Sequence, residues 1–145
     1  MATIHKSALL PYSAEQMYDL VNDVESYPEF LPWCASVKLL SQSRDHLTAT
    51  LVISQCRFKQ AFTTMNSMDE GRRIDMSLVE GPFKHLKGLW LFHPLEARGC
   101  EVSFHLEFEF ANGLIEFAFG KTFSQLANSF LDAFCQRALE RYGRL

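Results

Sequence analysis

The chain has 145 residues, 48% of them hydrophobic, and a formal net charge of −3. That length fits one domain spanning residues 1–145, large enough to bury a proper core, and so apolar a chain is not a disordered one. A negative net charge does not describe a general nucleic-acid binder, whose surface must be basic as a whole.

Ile4 to Leu10 reads as a first strand, closed by Pro11. Ser13-Ala14-Glu15-Gln16 is a capping box. The serine hydroxyl accepts from the amide three residues on, and Gln16 reaches back. The helix that follows carries Met17, Leu20, Val21 and Val24 on one face and ends before Pro28. Pro28 and Pro32 keep any helix from running through the next stretch. That stretch nonetheless holds Tyr27, Phe30, Leu31 and Trp33, which are costly to leave in water. Such a loop either packs on a core or covers a pocket. A second short helical turn is expected over Glu29 to Leu31.

Strands follow in series. Val37 to Leu40 is the second, and Leu47 to Ser54 and Phe58 to Met65 are expected to be neighbours. Arg73 to Val79 places Ile74, Met76 and Leu78 on one side. Leu86, Gly88, Trp90 and Phe92 alternate with Lys87, Leu89 and Leu91, which suggests a strand covered on both faces. From Glu101 to Phe110, Val102, Phe104, Leu106, Phe108 and Phe110 face one way, and Glu101, Ser103, His105, Glu107 and Glu109 the other. Strict alternation of this kind marks an antiparallel sheet with one buried face. Asn112-Gly113 is read as a turn. The last element is a helix from Leu114 to Tyr142, roughly 40 Å long, with Phe119, Phe123, Leu126, Phe130, Phe134 and Leu139 along one side. Gly120 inside it costs about 1 kcal/mol relative to alanine, which a bend or a close approach to the sheet would explain. Gly143 is its natural stop.

The predicted order is strand, one or two helices, six strands, long helix, with no repeat, low-complexity tract or linker. The fold class is α+β. A sheet with one solvated face has only the long helix to close the other, and a curved antiparallel sheet of six to seven strands gripping that helix does so.

No Gly-x-Ser-x-Gly, phosphate-binding Gly-rich loop or His-Glu-x-x-His motif is present. His5, His46, His85, His93 and His105 are scattered, so no metal is expected. Cys34, Cys56, Cys100 and Cys135 form no Cys-x-x-Cys pair, which argues against zinc. Their reduced state in a cytoplasm is the simplest reading. No signal peptide or Arg-rich presequence is visible, and no apolar run is long enough to span a membrane. Glu107 and Glu109 are expected to face water rather than to act as an acid–base pair. The thirteen phenylalanines suit either an aromatic core or an apolar cavity. Charge is uneven: residues 8–37 hold five acids and no Lys or Arg, while residues 38–98 hold nine Lys/Arg against six acids.

The segment Val21-Asn22-Asp23-Val24-Glu25-Ser26-Tyr27-Pro28-Glu29-Phe30-Leu31-Pro32-Trp33-Cys34, with Gly81-Pro82-Phe83, Leu86 to Phe92, Phe108-Glu109-Phe110 and the long last helix, resembles a known family. It is similar to the coenzyme-Q-binding and ribosome association toxin branch of the START-like (polyketide cyclase/dehydrase, SRPBCC) superfamily. The resemblance runs from Ile4 to Arg144. It implies a single helix-grip (START/Bet v 1-like) domain whose interior holds a lipid. The implied function is to bind ubiquinone, a related polyprenyl quinone or a late precursor, and so support respiratory electron transport, with no cofactor required. Relatives include polyketide cyclases, but a shared fold does not transfer that activity, and no enzyme is expected. The candidate lining is Phe62, Met76, Leu78, Trp90, Phe104, Phe108, Phe119, Phe123 and Phe130, with Phe30, Leu31 and Trp33 as a lid. Tyr27, Trp33 or Trp90 would donate to the quinone carbonyls. The alternative is that these residues simply pack together.

The same resemblance implies a second function: a toxin that binds the large ribosomal subunit, blocks subunit joining and has an antitoxin partner. Arg57, Lys59, Arg72, Arg73, Lys84 and Lys87 are the candidate contacts to rRNA phosphates. The expected location is cytoplasmic, extending to the periphery of the inner membrane.

Overall fold

The computed structural model describes residues 2–55, 58–96 and 98–143. Arg57 lies outside them. The elements are β1 (Ala2–Leu10), α1 (Ala14–Asn22), a 3-10 turn (Val24–Ser26), α2 (Tyr27–Phe30), β2 (Cys34–Gln42), β3 (His46–Gln55), β4 (Phe58–Asp69), β5 (Arg73–Glu80), β6 (Phe83–Pro94), β7 (Cys100–Phe110) and α3 (Gly113–Tyr142). The strands form one antiparallel sheet in the order β1-β7-β6-β5-β4-β3-β2. The α+β architecture with a terminal helix on a curved sheet is therefore present, with seven strands.

The capping box forms as expected: Gln16 N–H donates to Ser13 Oγ at 3.1 Å, and Ser13 N–H donates to Gln16 Oε1 at 2.9 Å. It starts α1, whose Met17, Tyr18, Leu20 and Val21 are buried. Two details of the next segment differ from expectation. The short helix falls on Tyr27–Phe30 rather than Glu29–Leu31. Pro28 sits in its first turn, where a missing N–H costs nothing and the fixed φ favours the helix. Pro28 thus begins a helix that Pro32 keeps short.

β6 is covered on one face only. Phe83, Leu86, Gly88, Trp90 and Phe92 are buried, while Lys84, Lys87 and Leu91 are exposed. The helices lie on the inner face, and among the described residues the outer face carries no second layer. Register shifts at Cys34/Ser36, Leu39/Ser41, Thr63/Thr64 and Phe83/His85 are bulges that curve the sheet.

Asn112 and Gly113 belong to the helix rather than to a free turn. Asn112 is the N-cap, its side-chain oxygen accepting from Ile115 N–H at 2.9 Å. Along α3, Phe119, Phe123, Leu126, Leu131, Phe134 and Ala138 are buried, and Phe130 and Leu139 are half-buried. Gly120 marks a close approach to the sheet: a Cβ there would sit 3.4 Å from the Phe110 ring. The far end of α3 is fastened by two phenols. Tyr142 donates to Gln16 O at 3.1 Å, and Tyr12 to Gly143 O at 2.7 Å.

Candidate functional site: an apolar cavity between sheet and helix

The inner face of β3 alternates Leu47, Ala49, Leu51 and Ile53, all buried. β4 continues the floor with Phe62, Thr64 and Asn66, and α3 supplies the roof with Phe123, Leu126, Ala127 and Phe130. A cavity of about 70 Å³ remains between them. Its origin is steric. Ala49 on the sheet and Ala127 on the helix are too small to close the gap that the large residues around them hold open. Gly88 lets Met76 lie over β6, since a Cβ there would come within 2.7 Å of the Met76 methyl. The segment from Val24 to Trp33 closes the side, with Trp33 half-buried and 5.7 Å from the Phe130 ring.

Of the candidate ligand residues, Tyr27, Trp33, Phe62, Met76, Phe104, Phe123 and Phe130 line this cavity. Phe30, Leu31, Leu78, Trp90, Phe108 and Phe119 lie outside its lining. Trp90 is buried in a ring cluster, 4.6 Å from Phe104 and 5.4 Å from Phe134. Phe108 and Phe119 belong to another, in which Phe123 lies 5.0 Å from Phe108 and 5.6 Å from Phe119. Phe30 packs 5.2 Å from Phe134. Leu31 is fully buried, so it plugs the core rather than acting as a lid. Leu78 is half-buried on β5, against Gly81.

Of the three donors expected from sequence, Tyr27 and Trp33 line the cavity and Trp90 does not. The Tyr27 hydroxyl already donates to Val21 O, and burial pushes its phenol well above the ordinary range. Trp90 is walled off. Two further polar side chains line the cavity: Thr64, 5% exposed, and Asn66, 6% exposed. Asn66 Oδ1 is buried without a hydrogen-bond partner. The signal was present in the alternation Phe62, Thr64, Asn66, Met68, where two polar residues interrupt an apolar face. Among the described residues the lining holds no carboxylate, imidazole, amine or thiol. Cys34 and Cys100 are buried elsewhere, and burial raises both thiols to about 11, so neither offers a thiolate near neutral pH. Among the described residues no group of His, Cys, Asp and Glu is arranged to hold a metal.

Among the described residues the candidate cations are spread over several elements. Arg72 lies in the β4–β5 turn, 3.3 Å from Glu15, and Arg73 pairs with Asp75 at 2.7 Å. Lys84 begins β6 and pairs with Glu109 at 3.5 Å, Lys59 lies near the start of β4, and Lys87 is exposed on the outer face. Antiparallel strands send successive turns to opposite ends of the sheet. The eight residues of β5 therefore separate Arg72 and Arg73 from Lys84 by about 25 Å.

Residues 10–135 match the family model described as polyketide cyclase/dehydrase and lipid transport. The chain is 49% identical over 142 residues to the ribosome association toxin RatA of Escherichia coli, covering 98% of this chain and 90% of that one. It is 31% identical to the mitochondrial coenzyme Q-binding protein COQ10 homolog B of Xenopus laevis, covering 96% of this chain and 59% of that one. A START superfamily protein from Mycobacterium smegmatis shares the fold, with a TM-score of 0.74 at 20% identity over 95% of this chain and 97% of that one. The architecture is that of a START-like domain. The chain belongs to the polyketide cyclase/dehydrase and lipid transport family.

Proposed function

We propose that this protein binds ubiquinone or a related polyprenyl quinone between the sheet and α3, and supports respiratory electron transport as a carrier rather than a catalyst. The observation that carries this reading is a cavity whose described lining is apolar apart from Tyr27, Trp33, Thr64 and Asn66, with no carboxylate, imidazole, amine or thiol among those residues. The coenzyme Q named in the Xenopus relative points to the ligand class. At about 70 Å³ the cavity is far smaller than a pocket of roughly 300 Å³ or more that encloses a typical ligand. A bound ring must therefore displace the half-buried Trp33 and Phe130 beside it. Mass spectrometry of organic extracts from gently purified protein tests the idea. Native protein should carry a quinone, and Ala127→Trp, which fills the roof, should not. A native extract free of lipid, together with unchanged tryptophan fluorescence on adding quinone, would end the carrier reading.

A second reading is favoured by the 49% identity to RatA across 98% of the chain: association with the large ribosomal subunit, a block on subunit joining and control by an antitoxin. Sedimentation of lysate should then show the protein moving with large subunits and depleting joined ribosomes. A subunit profile unmoved even at low salt removes this role. Either role suits the cytoplasm, at or near the inner membrane, and among the described residues no helix is long and apolar enough to cross a membrane.

A further inference from the structure

Asn66 stands where the fold itself asks for an apolar residue. It lies on the inner face of β4, opposite Leu47 on one neighbouring strand and Met76 on the other. Asparagine is depleted in strands. Here it is 6% exposed, and its side-chain oxygen has no partner. An unpartnered buried amide destabilises a fold, and an apolar residue of similar shape avoids that cost. On stability alone an apolar residue would serve better at this position. What it faces is the cavity, and Thr64, two residues earlier on the same wall, faces it too.

We propose that Thr64 and Asn66 form the recognition end of this cavity, holding the oxygen-bearing ring of an amphipathic ligand while its apolar tail runs out past Trp33 and Phe130. The proposal rests on the carrier reading and assigns its specificity. The amide offers a donor to a carbonyl and an acceptor to a hydroxyl, and the threonine hydroxyl can do either. The pair thus suits a ring whose oxygens change between carbonyl and hydroxyl, as they do between a quinone and its reduced quinol. A site built to hydrogen-bond an oxygen rejects an analogue lacking it, because its own buried polar groups are then left unpaired. Trp33 and Phe130 are both half-buried, so the opposite end of the cavity is the one nearer solvent.

The test uses the full-length protein and two probes with the same ten-carbon tail, decylubiquinone and decylbenzene, each read by displacement of a fluorescent apolar dye. Native protein should prefer decylubiquinone by about tenfold or more, the effect of one good hydrogen bond in a dry site. Asn66→Leu should lose that preference, bind decylbenzene at least as well, and melt at a higher temperature than native protein when neither carries a probe. Thr64→Val, which keeps shape and strand preference, should lose part of the preference and provides the reading if Asn66→Leu does not fold. A native protein that binds both probes equally overturns the assignment and leaves the lipid-carrier reading standing. The assignment falls in the same way if Asn66→Leu melts lower than native protein while keeping the preference, since the amide would then serve the fold alone. Binding of neither probe by native protein overturns the carrier reading as well.

Discussion

The guanidinium of Arg137 on α3 donates to the Glu29 carboxylate on α2 at 2.8 Å, across 108 positions of sequence. Its central carbon also lies 5.0 Å from the centre of the Phe30 ring. Tyr27 and Phe30 pack on Phe134 at 5.3 and 5.2 Å. The four residues of α2 are thus fastened to the long helix by one ion pair and a set of edge-on rings.

This clasp leads to a kinetic expectation. Glu29 is 61% exposed, so Glu29→Gln should cost under about 1 kcal/mol of stability. Any ring larger than the present cavity has to move the segment between Tyr27 and Trp33, and a weaker clasp should speed its passage. Stopped-flow tryptophan fluorescence with added quinone should show faster uptake and release with little change in affinity. Identical rates in native and variant protein would mean that α2 does not gate the cavity.

Phe108 and Phe123 probe the difference between filled core and cavity wall. Phe108 is 2% exposed and lies outside the lining, whereas Phe123 is 5% exposed and borders the void. Phe108→Ala should cost about 3–5 kcal/mol, and Phe123→Ala should fall at or below the low end, because one of its sides already lacks partners. Urea unfolding of both variants decides this. A larger loss for Phe123→Ala would mean the void is closed in solution.

The separation of Arg72 and Arg73 from Lys84 makes a ribosome contact attributable to one end of the sheet. Arg72→Glu with Arg73→Glu alters one end of the sheet, and Lys84→Glu with Lys87→Glu alters the other end and the adjoining outer face. One pair should abolish co-sedimentation with large subunits, with a steep dependence on salt in the native protein. The other should leave it nearly intact. Equal sedimentation of both variants with native protein would remove these residues from the contact.

The thiols predict an alkaline limb to stability. Burial raises Cys34 from 9.0 to about 11, and burial followed by the charges of Glu15 and Cys135 raises Cys100 to the same region. Below the unfolded value of 9.0 the thiols are protonated in both states, so their contribution is fully present. Above it the unfolded chain ionises first, and stability should fall as pH rises until about 11. Urea midpoints near pH 8 and pH 10 should show the drop, and Cys34→Ala with Cys100→Ala should shrink it, leaving the part due to Cys135 and the buried phenols. Ready labelling of either thiol in the native protein at neutral pH would contradict this.

Much of the fold is legible in the sequence because its signals are local. The capping box at Ser13, the alternation from Val102 to Phe110 and the apolar side of the last helix each follow from the geometry of one element, and the order of elements then leaves few ways to close the sheet. The same alternation misleads at β6, because Leu89 and Leu91 read as a second buried face although no layer covers them. Pro28 reads as a barrier although it begins α2, since only the path of the chain decides whether a proline falls inside a helix or at its first turn.

By itself the sequence determined which side chains point inward and in what order the elements follow, because these depend on periods of two and 3.6 residues along a single strand or helix. The tertiary structure alone decided which inward residues fill space and which border a void. That depends on what stands opposite: Ala49 and Ala127 leave a gap only because strand and helix bring them to the same space, while Trp90, Phe108 and Phe119 meet other rings and close it. It also decided that Arg72 and Arg73 stand at the opposite end of β5 from Lys84. Finally, it turned Asn66 from one polar letter in a strand into a buried amide facing an apolar cavity, a property conferred by what surrounds it rather than by its neighbours in sequence.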